Sequence, residues 1–317
     1  MPINYLIVLT FYFICFFNGF SQENPIDLKL ANSYYLKGDY EKAILYYDKF
    51  SENENTLENI YQYYKSSLLE LKEFKSAEKL CRRLQKKHPE NLTLLVDLGI
   101  IYGLEDNESK KIQQFEKSIN AINSNSSFQN ISNLGLAFQK INDLNRALIV
   151  YKTGEKFNEN NPYIFHDKIA FIYNKQGNTS AMIDTYLELL DQNEKFLYSV
   201  QSGLSNSIDF ELQLKEKDLL RKKLIQKVQN NSKSIVYVQL LAWYYLINND
   251  YENAFIQVKS VDIKLKRDHE ELFNLGVTAL NNHNYEIAIK CFDEVIKNTQ
   301  STERSFKAKN LKLRAIK

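Results

Sequence analysis

The sequence predicts an all-α chain built as a solenoid of antiparallel helix pairs, and three observations carry that expectation. Only nine of the 317 residues are Gly and four are Pro, too few for a protein of many short strands and tight turns. Alanines recur at a fixed interval: Ala43 and Ala77 are 34 residues apart, and so are Ala254 and Ala288. A turn formula also recurs, as Gly38-Asp39-Tyr40-Glu41-Lys42-Ala43, Asn249-Asp250-Tyr251-Glu252-Asn253-Ala254 and Asn284-Tyr285-Glu286-Ile287-Ala288. Composition narrows the class further. With 21 Tyr and 19 Phe the chain is too aromatic to be disordered. Lys plus Arg number 41 against 39 Asp plus Glu, so a net charge of +2 gives no field that would draw nucleic acid or acidic lipid.

The N-terminus reads as an address. Ile3 to Phe17 is an apolar run broken only by Asn4 and Thr10, shorter than the roughly 20 residues a membrane span needs. Gly19 and Ser21 follow in the small-x-small pattern of a signal-peptidase site, so residues 1–21 are expected to be a signal peptide cleaved after Ser21. No Lys or Arg precedes the run, which keeps an uncleaved N-terminal anchor as the alternative. Cys15 is no lipid attachment site, because Tyr12, Phe13 and Ile14 before it are too bulky. The two remaining cysteines, Cys81 and Cys291, are expected to be small core residues rather than a bridge.

Each turn has a physical logic. Gly38 ends one helix, Asp39 caps the next, and Tyr40 opens its buried face. Twelve residues before Ala43, Ala147, Ala254 and Ala288 stand small residues, Ala31, Gly135, Ala242 and Gly276. Small residues on both helices let the pair approach closely. Four residues after Ala43, Ala77, Ala254 and Ala288 come Tyr47, Cys81, Val258 and Phe292, and three after the small residue an aromatic is frequent, as Tyr34, Phe138 and Tyr245 show. These side chains are expected to fill the space between one pair and the next. Pro89, twelve after Ala77, stops a helix.

These residues, with Leu98-Gly99, Leu134-Gly135 and Leu275-Gly276, resemble the tetratricopeptide repeat family. The resemblance implies a right-handed superhelical solenoid. It places repeats at 24–57, 58–91, 92–125, 128–161, 163–196, 235–268 and 269–302, within a solenoid of residues 22–304. Residues 201–234 are a degenerate repeat, with Ile208, Glu211 and Leu220 at the signature positions and a long second helix expected from Phe210 to Asn230. Residues 305–317, rich in Lys and Arg, are expected to form a basic capping helix or the start of a further repeat. The ending Gly-Phe-Ser-Gln of the leader is similar to export signals of Bacteroidota, whose envelope contains such repeat proteins.

No motif for chemistry is present. The sequence has no Gly-x-Gly-x-x-Gly, no Gly-Lys-Ser/Thr and no His-Glu-x-x-His, so neither a cofactor nor a metal is expected and the chain is expected not to be an enzyme. The histidines His88, His166, His269 and His283 fall in different repeats, too dispersed to converge on a metal. His88 and His283 sit in turns and are expected to be solvated. His166 and Asp167 are adjacent on a helix and so point apart. Acidic residues spread along helices are expected to be solvated, beside Lys partners at i±4.

The family resemblance implies that the first helix of each pair lines a concave groove. The residues there would be Tyr35, Gln62, Gln139, Lys140, Asp167, Phe171, Asn174, Lys175, Gln239 and Trp243, a mixture of amides and aromatics suited to an extended peptide. Trp243, the only Trp, is the first candidate anchor, with core packing as its other reading. Leu28, Gln62, Val96, Ser132 and Asp167 occupy the position where some family members grip a C-terminal carboxylate, so that clamp is absent. The expected function is a protein-binding scaffold, exported to the periplasm or outer membrane and working in an envelope complex. Its partner is a protein or peptide, not nucleic acid. The alternative is the N-terminal adaptor or sensor region of a longer regulatory protein.

Overall fold

The computed structural model describes residues 25–158, 160–230 and 235–316. The segment expected to be a signal peptide, residues 1–21, lies outside them, as do residues 231–234 and Lys317. The described residues form 17 α-helices and one 3₁₀ turn, with no strand among them. They divide into two compact units, one ending at Gly154 and the other starting at Glu155. The first holds the pairs α1 (Pro25–Leu36) and α2 (Tyr40–Phe50), α3 (Glu54–Glu70) and α4 (Phe74–Lys87), α5 (Thr93–Leu104) and α6 (Glu108–Asn120), α7 (Phe128–Lys140) and α8 (Leu144–Lys156). The second holds α9 (His166–Lys175) and α10 (Thr179–Gln192), α11 (Leu197–Ser207) and α12 (Leu214–Asn230), α13 (Ile235–Ile247) and α14 (Tyr251–Leu265), α15 (Glu270–Asn281) and α16 (Tyr285–Asn298), then α17 (Thr302–Ile316). First helices stack on first helices within each unit: α1 on α3, α5 on α7, α9 on α11, α11 on α13. None of the described helices is long and apolar enough to cross a membrane.

One turn design recurs between the two helices of a pair. Gly38, Lys72, Asp106, Asn142, Gly177, Asn249 and His283 all have φ between 57° and 77°. The next residue's N–H then bonds back to the carbonyl five positions earlier: Asp39 to Tyr34, Glu73 to Leu68, Asn107 to Tyr102, Asp143 to Phe138, Asn178 to Tyr173, Asp250 to Tyr245, Asn284 to Ala279, at 2.8–2.9 Å. This is the Schellman closure, which satisfies carbonyls the first helix leaves open. The same residue then caps the second helix. The side chains of Asp39, Asn107, Asp143, Asn178, Asp250 and Asn284 each accept a backbone N–H three residues on. Each such cap is worth about 1 kcal/mol. The α11–α12 connection is different. Asp209 accepts the N–H groups of Glu211 and Leu212 at 3.0 Å, and this local turn delays the helix until Leu214. The second helix expected from Phe210 therefore starts later, and Phe210 packs from the connection onto Trp243 and Tyr244.

Within a pair, two positions sixteen residues apart close the helices. A Cβ added at Gly99 would overlap the Phe115 ring, and one at Gly135 would overlap the Tyr151 ring. Gly276 takes the Phe292 ring in the same way. Ala31, Tyr47, Ala170 and Tyr186 are buried at the equivalent positions. Gly203 on α11 departs from this, since it takes Tyr186 of the preceding helix. Cys81 and Cys291 are buried free thiols, each pushed up to about 12 by burial.

Two expectations about charged groups need correction. His88 is not simply solvated: its Nε2 lies 2.7 Å from Glu58 and its Nδ1 3.3 Å from Glu90, so it ties α4 to α3. That contact with Glu58 holds the imidazole above its ordinary value. Nor do all acidic residues belong to solvated faces. Asp97 sits deep between α3 and α5, 2.5 Å from Lys65 Nζ and 2.8 Å from the Tyr61 hydroxyl. Asp262 is also buried.

Candidate functional site

The site is built on α13, whose sequence Ile-Val-Tyr-Val-Gln-Leu-Leu-Ala-Trp-Tyr-Tyr-Leu-Ile is almost wholly apolar. Val236, Tyr237, Leu240, Leu241, Tyr244 and Tyr245 go into the core. That leaves Gln239, Trp243 and Leu246 at i, i+4 and i+7, one stripe on one face. Trp243 is half-buried. Its inner edge meets Phe210 at 6.0 Å between centroids, in a T-shaped contact that fixes the indole. Its outer side lines a cavity of about 430 Å³. Trp243 therefore packs on the core with one edge and faces an opening with the other.

Three further elements close this cleft. Tyr198 and Gln201 come from α11, Val258 and Val261 from α14, and Arg267 and Glu271 stand at the rim, 2.5 Å apart as an ion pair. The rim segment is held in an unusual backbone. Lys266, Asp268 and His269 all have positive φ, at 52°, 50° and 62°. Two aspartates hold it there. Asp262, the residue after Val261, accepts the N–H of Glu271 at 3.1 Å and of Leu272 at 2.7 Å, filling the open N-terminus of α15. Burial nevertheless raises its carboxyl above the ordinary value. Asp268 accepts the Gln300 N–H and the Thr299 hydroxyl, each at 2.7 Å, and pairs with Arg304 at 2.6 Å. The Gln300 N–H is the main cause that holds this carboxyl below its ordinary value.

The structure distributes the other expected groove residues as follows. Asp167, Phe171, Asn174 and Lys175 share one face of α9, with the Lys175 ammonium 5.5 Å from the Phe171 ring centroid. In the first unit, Tyr35 joins Tyr40 and Tyr63 in an aromatic cluster, with centroids 5.8 and 5.1 Å away. Gln62, beside Tyr63 on α3, is exposed, and so is Lys140. Gln139 is engaged internally, since its amide donates to the Tyr151 hydroxyl at 2.8 Å. His166 turns away from Asp167 and places Nδ1 2.8 Å from Glu155.

Tyr198, Gln201, Arg267 and Glu271 are among the cleft residues that sequence reasoning missed. A signal for the first two existed. Leu197, Val200, Leu204 and Ile208 recur at helical spacing and mark a helix that begins four residues before the assigned start of the degenerate repeat. Arg267 had none, because the left-handed turn that presents it contains no Gly.

Residues 27–54 match the tetratricopeptide repeat family model. That span covers α1 and α2 and their turn. No curated protein matches the sequence. Among solved structures, a tetratricopeptide repeat protein from Parabacteroides merdae is 15% identical with a TM-score of 0.28, over 82% of this chain and 98% of its own. YrrB, described as a tetratricopeptide repeat protein with an unusual peptide-binding site, is 17% identical with a TM-score of 0.29, over 62% of this chain and 97% of its own. The C-terminal part of a repeat-containing protein from Cytophaga hutchinsonii is 11% identical with a TM-score of 0.30, over 77% and 98%. These likenesses are too distant to place a ligand or a partner on this chain. The family model matches the first pair alone, and most of the other pairs repeat its turn geometry and its closing contacts.

Proposed function

We propose that the chain is a non-enzymatic scaffold that binds an extended segment of another protein, exported and working in a cell-envelope complex. The observation that carries this reading is the Trp243 cleft. It offers an indole held from behind, aliphatic walls from Val258, Val261 and Leu246, and the amides of Gln201 and Gln239 at its opening. An apolar side chain from the partner would fill the cavity, and its flanking backbone would bond to the amides. The exposed face of α9, with Phe171 and Asn174, extends the set of contacts suited to such a segment. Repeat solenoids use extended surfaces of this kind for binding. Export is supported by the apolar run and the small-x-small site at residues 19–21.

Crosslinking of the tagged protein in intact cells, followed by mass spectrometry, tests the proposal. The expected result is reproducible enrichment of one or two envelope proteins, lost on Trp243→Ala plus Asn174→Ala. Enrichment of nothing, or of cytoplasmic proteins alone, overturns it. Trp243 is the only Trp, so its fluorescence reports directly on the cleft. A peptide from a captured partner should shift that emission, and Trp243→Phe should weaken binding by more than about tenfold, the scale of an interface hot spot.

A further inference from the structure

Several turns between first and second helices expose aliphatic residues. In the first unit these are Leu36, Leu71, Leu104 and Ile141. In the second the α11–α12 connection exposes Leu212, and the other turns carry Gln176, Asn248 and Asn282. Because α5 packs on α7, the turns that follow these two helices lie on one edge, and a cavity of about 390 Å³ opens between them. Ile100, Leu104, Ile112 and Ile141 form its apolar lining, and Leu104 and Ile112 are 50% and 43% exposed. Its lining charges are matched already, Lys111 with Glu108 at 3.1 Å and Arg146 with Asp143 at 2.7 Å. Glu105 and Asp106, on the Leu104 turn, make no ion pair among the described residues, so the edge of this apolar hole carries two unbalanced negative charges.

The second unit carries the complementary surface. On α17, Phe306, Leu313 and Ile316 are 66%, 59% and 60% exposed. Phe306 and Leu313 lie two turns apart on one face, about 10 Å along the helix. Lys309 and Arg314 flank that stripe on opposite sides, and neither has an ion pair among the described residues. The other basic residues of α17 are engaged: Arg304 with Asp268, Lys307 with Glu303, Lys312 with Asp293.

We propose that the protein self-associates head to tail, with the Phe306–Leu313 face of α17 in one copy seated on the α5–α7 turn cavity of a second copy. The apolar stripe fills the cavity, and Lys309 and Arg314 meet Glu105 and Asp106. The two surfaces are different, so the contact is heterologous and each copy keeps one free surface for the next. Charge steering makes the association weaken as salt rises.

Sedimentation velocity of the purified protein over a concentration series, at low and high salt, tests this. The average mass should rise with concentration at low salt and fall back at high salt. Phe306→Asp with Leu313→Asp should leave a monomer, and so should Glu105→Lys with Asp106→Lys. Mixed together, these two variants should form a dimer that grows no further, because each retains one intact surface. A single chain carrying Glu105→Lys, Asp106→Lys, Lys309→Glu and Arg314→Glu should regain self-association, which separates charge pairing from damage to the fold. A wild-type monomer at every concentration and salt overturns the proposal. So do oligomers indifferent to both variant sets, or a failure of the four-charge exchange to restore them.

Discussion

The α3–α4 pair and its neighbour α5–α6 solve one packing problem in opposite ways. In α5–α6 the first helix gives up its side chain at Gly99, and the Phe115 ring of the second lies against the bare backbone. In α3–α4 the sizes are reversed. The position equivalent to Gly99 holds Lys65, and the one equivalent to Phe115 holds Cys81, which is fully buried. The space between the helices constrains the two volumes together rather than either residue alone. The reversal has an electrostatic consequence. A buried ammonium needs a counter-charge, and Lys65 finds it in Asp97 at 2.5 Å, on the next pair. Its Nζ lies over the Tyr61 ring, 5.0 Å from the centroid, and Tyr61 donates to the same carboxylate. Where α5–α6 closes with a dry contact inside the pair, α3–α4 closes with a polar network that binds it to its neighbour.

Substitutions can break this comparison at several strengths. Phe115→Ala should be the most damaging, costing about 4 kcal/mol, because the bare Gly99 backbone leaves a cavity that nothing nearby can fill. Urea unfolding followed by circular dichroism measures it, and a loss below about 1 kcal/mol would show that the pair closes by other contacts. Asp97→Ala should cost about 3 kcal/mol by leaving Lys65 buried and unpaired. Lys65→Met with Asp97→Ala should recover most of that loss, so with Lys65→Met alone the double-mutant cycle separates the cost of an orphaned charge from the worth of the pair.

Smaller effects sharpen the same contrast. Lys72 ends α3 at φ 58°, where α1 ends at Gly38. Lys72→Gly should relieve the left-handed strain and stabilise the fold by about 0.5 kcal/mol, after the entropy that Gly adds to the unfolded chain. A neutral or negative change would mean that the Lys72 side chain contributes more than its backbone costs. Cys81 gives a pH signature. Burial raises its thiol from 9.0 to about 12, so the folded state favours the protonated form. That contribution is fully present below pH 9.0 and is lost as pH rises through the window up to about 12. Cys81 should thus resist iodoacetamide in the folded protein at pH 9.0 and react once urea is added. Rapid labelling without urea would show that the α3–α4 pair opens on its own.

Much of the fold was legible because it is local. Gly38 and Asp39 state a helix end and a cap within two residues, and the helices obey both, while Tyr40, expected to open a buried face, is half-buried against Tyr35. Gly99 and Phe115 could be paired by counting along the chain. Lys65 could not be placed that way, since a Lys on a helix reads as solvated until the acid that meets it, Asp97, is brought in from another pair. Of the site, Trp243 and Gln239 were legible because the family resemblance puts them on the groove stripe, and because Trp243 is the only Trp. Tyr198 and Arg267 did not, because they reach the cleft from segments whose position depends on packing between pairs.

The sequence by itself determined the helix pairs and, in most of them, the capped turn and the small-against-large closure, since these rest on interactions within one 34-residue period. Tertiary structure alone decided which charges are buried, how Asp262 and Asp268 hold the left-handed rim segment, and which side chains share the Trp243 cleft. Those outcomes join residues of different pairs, and their energies depend on desolvation and approach between helices, which no spacing along the chain records.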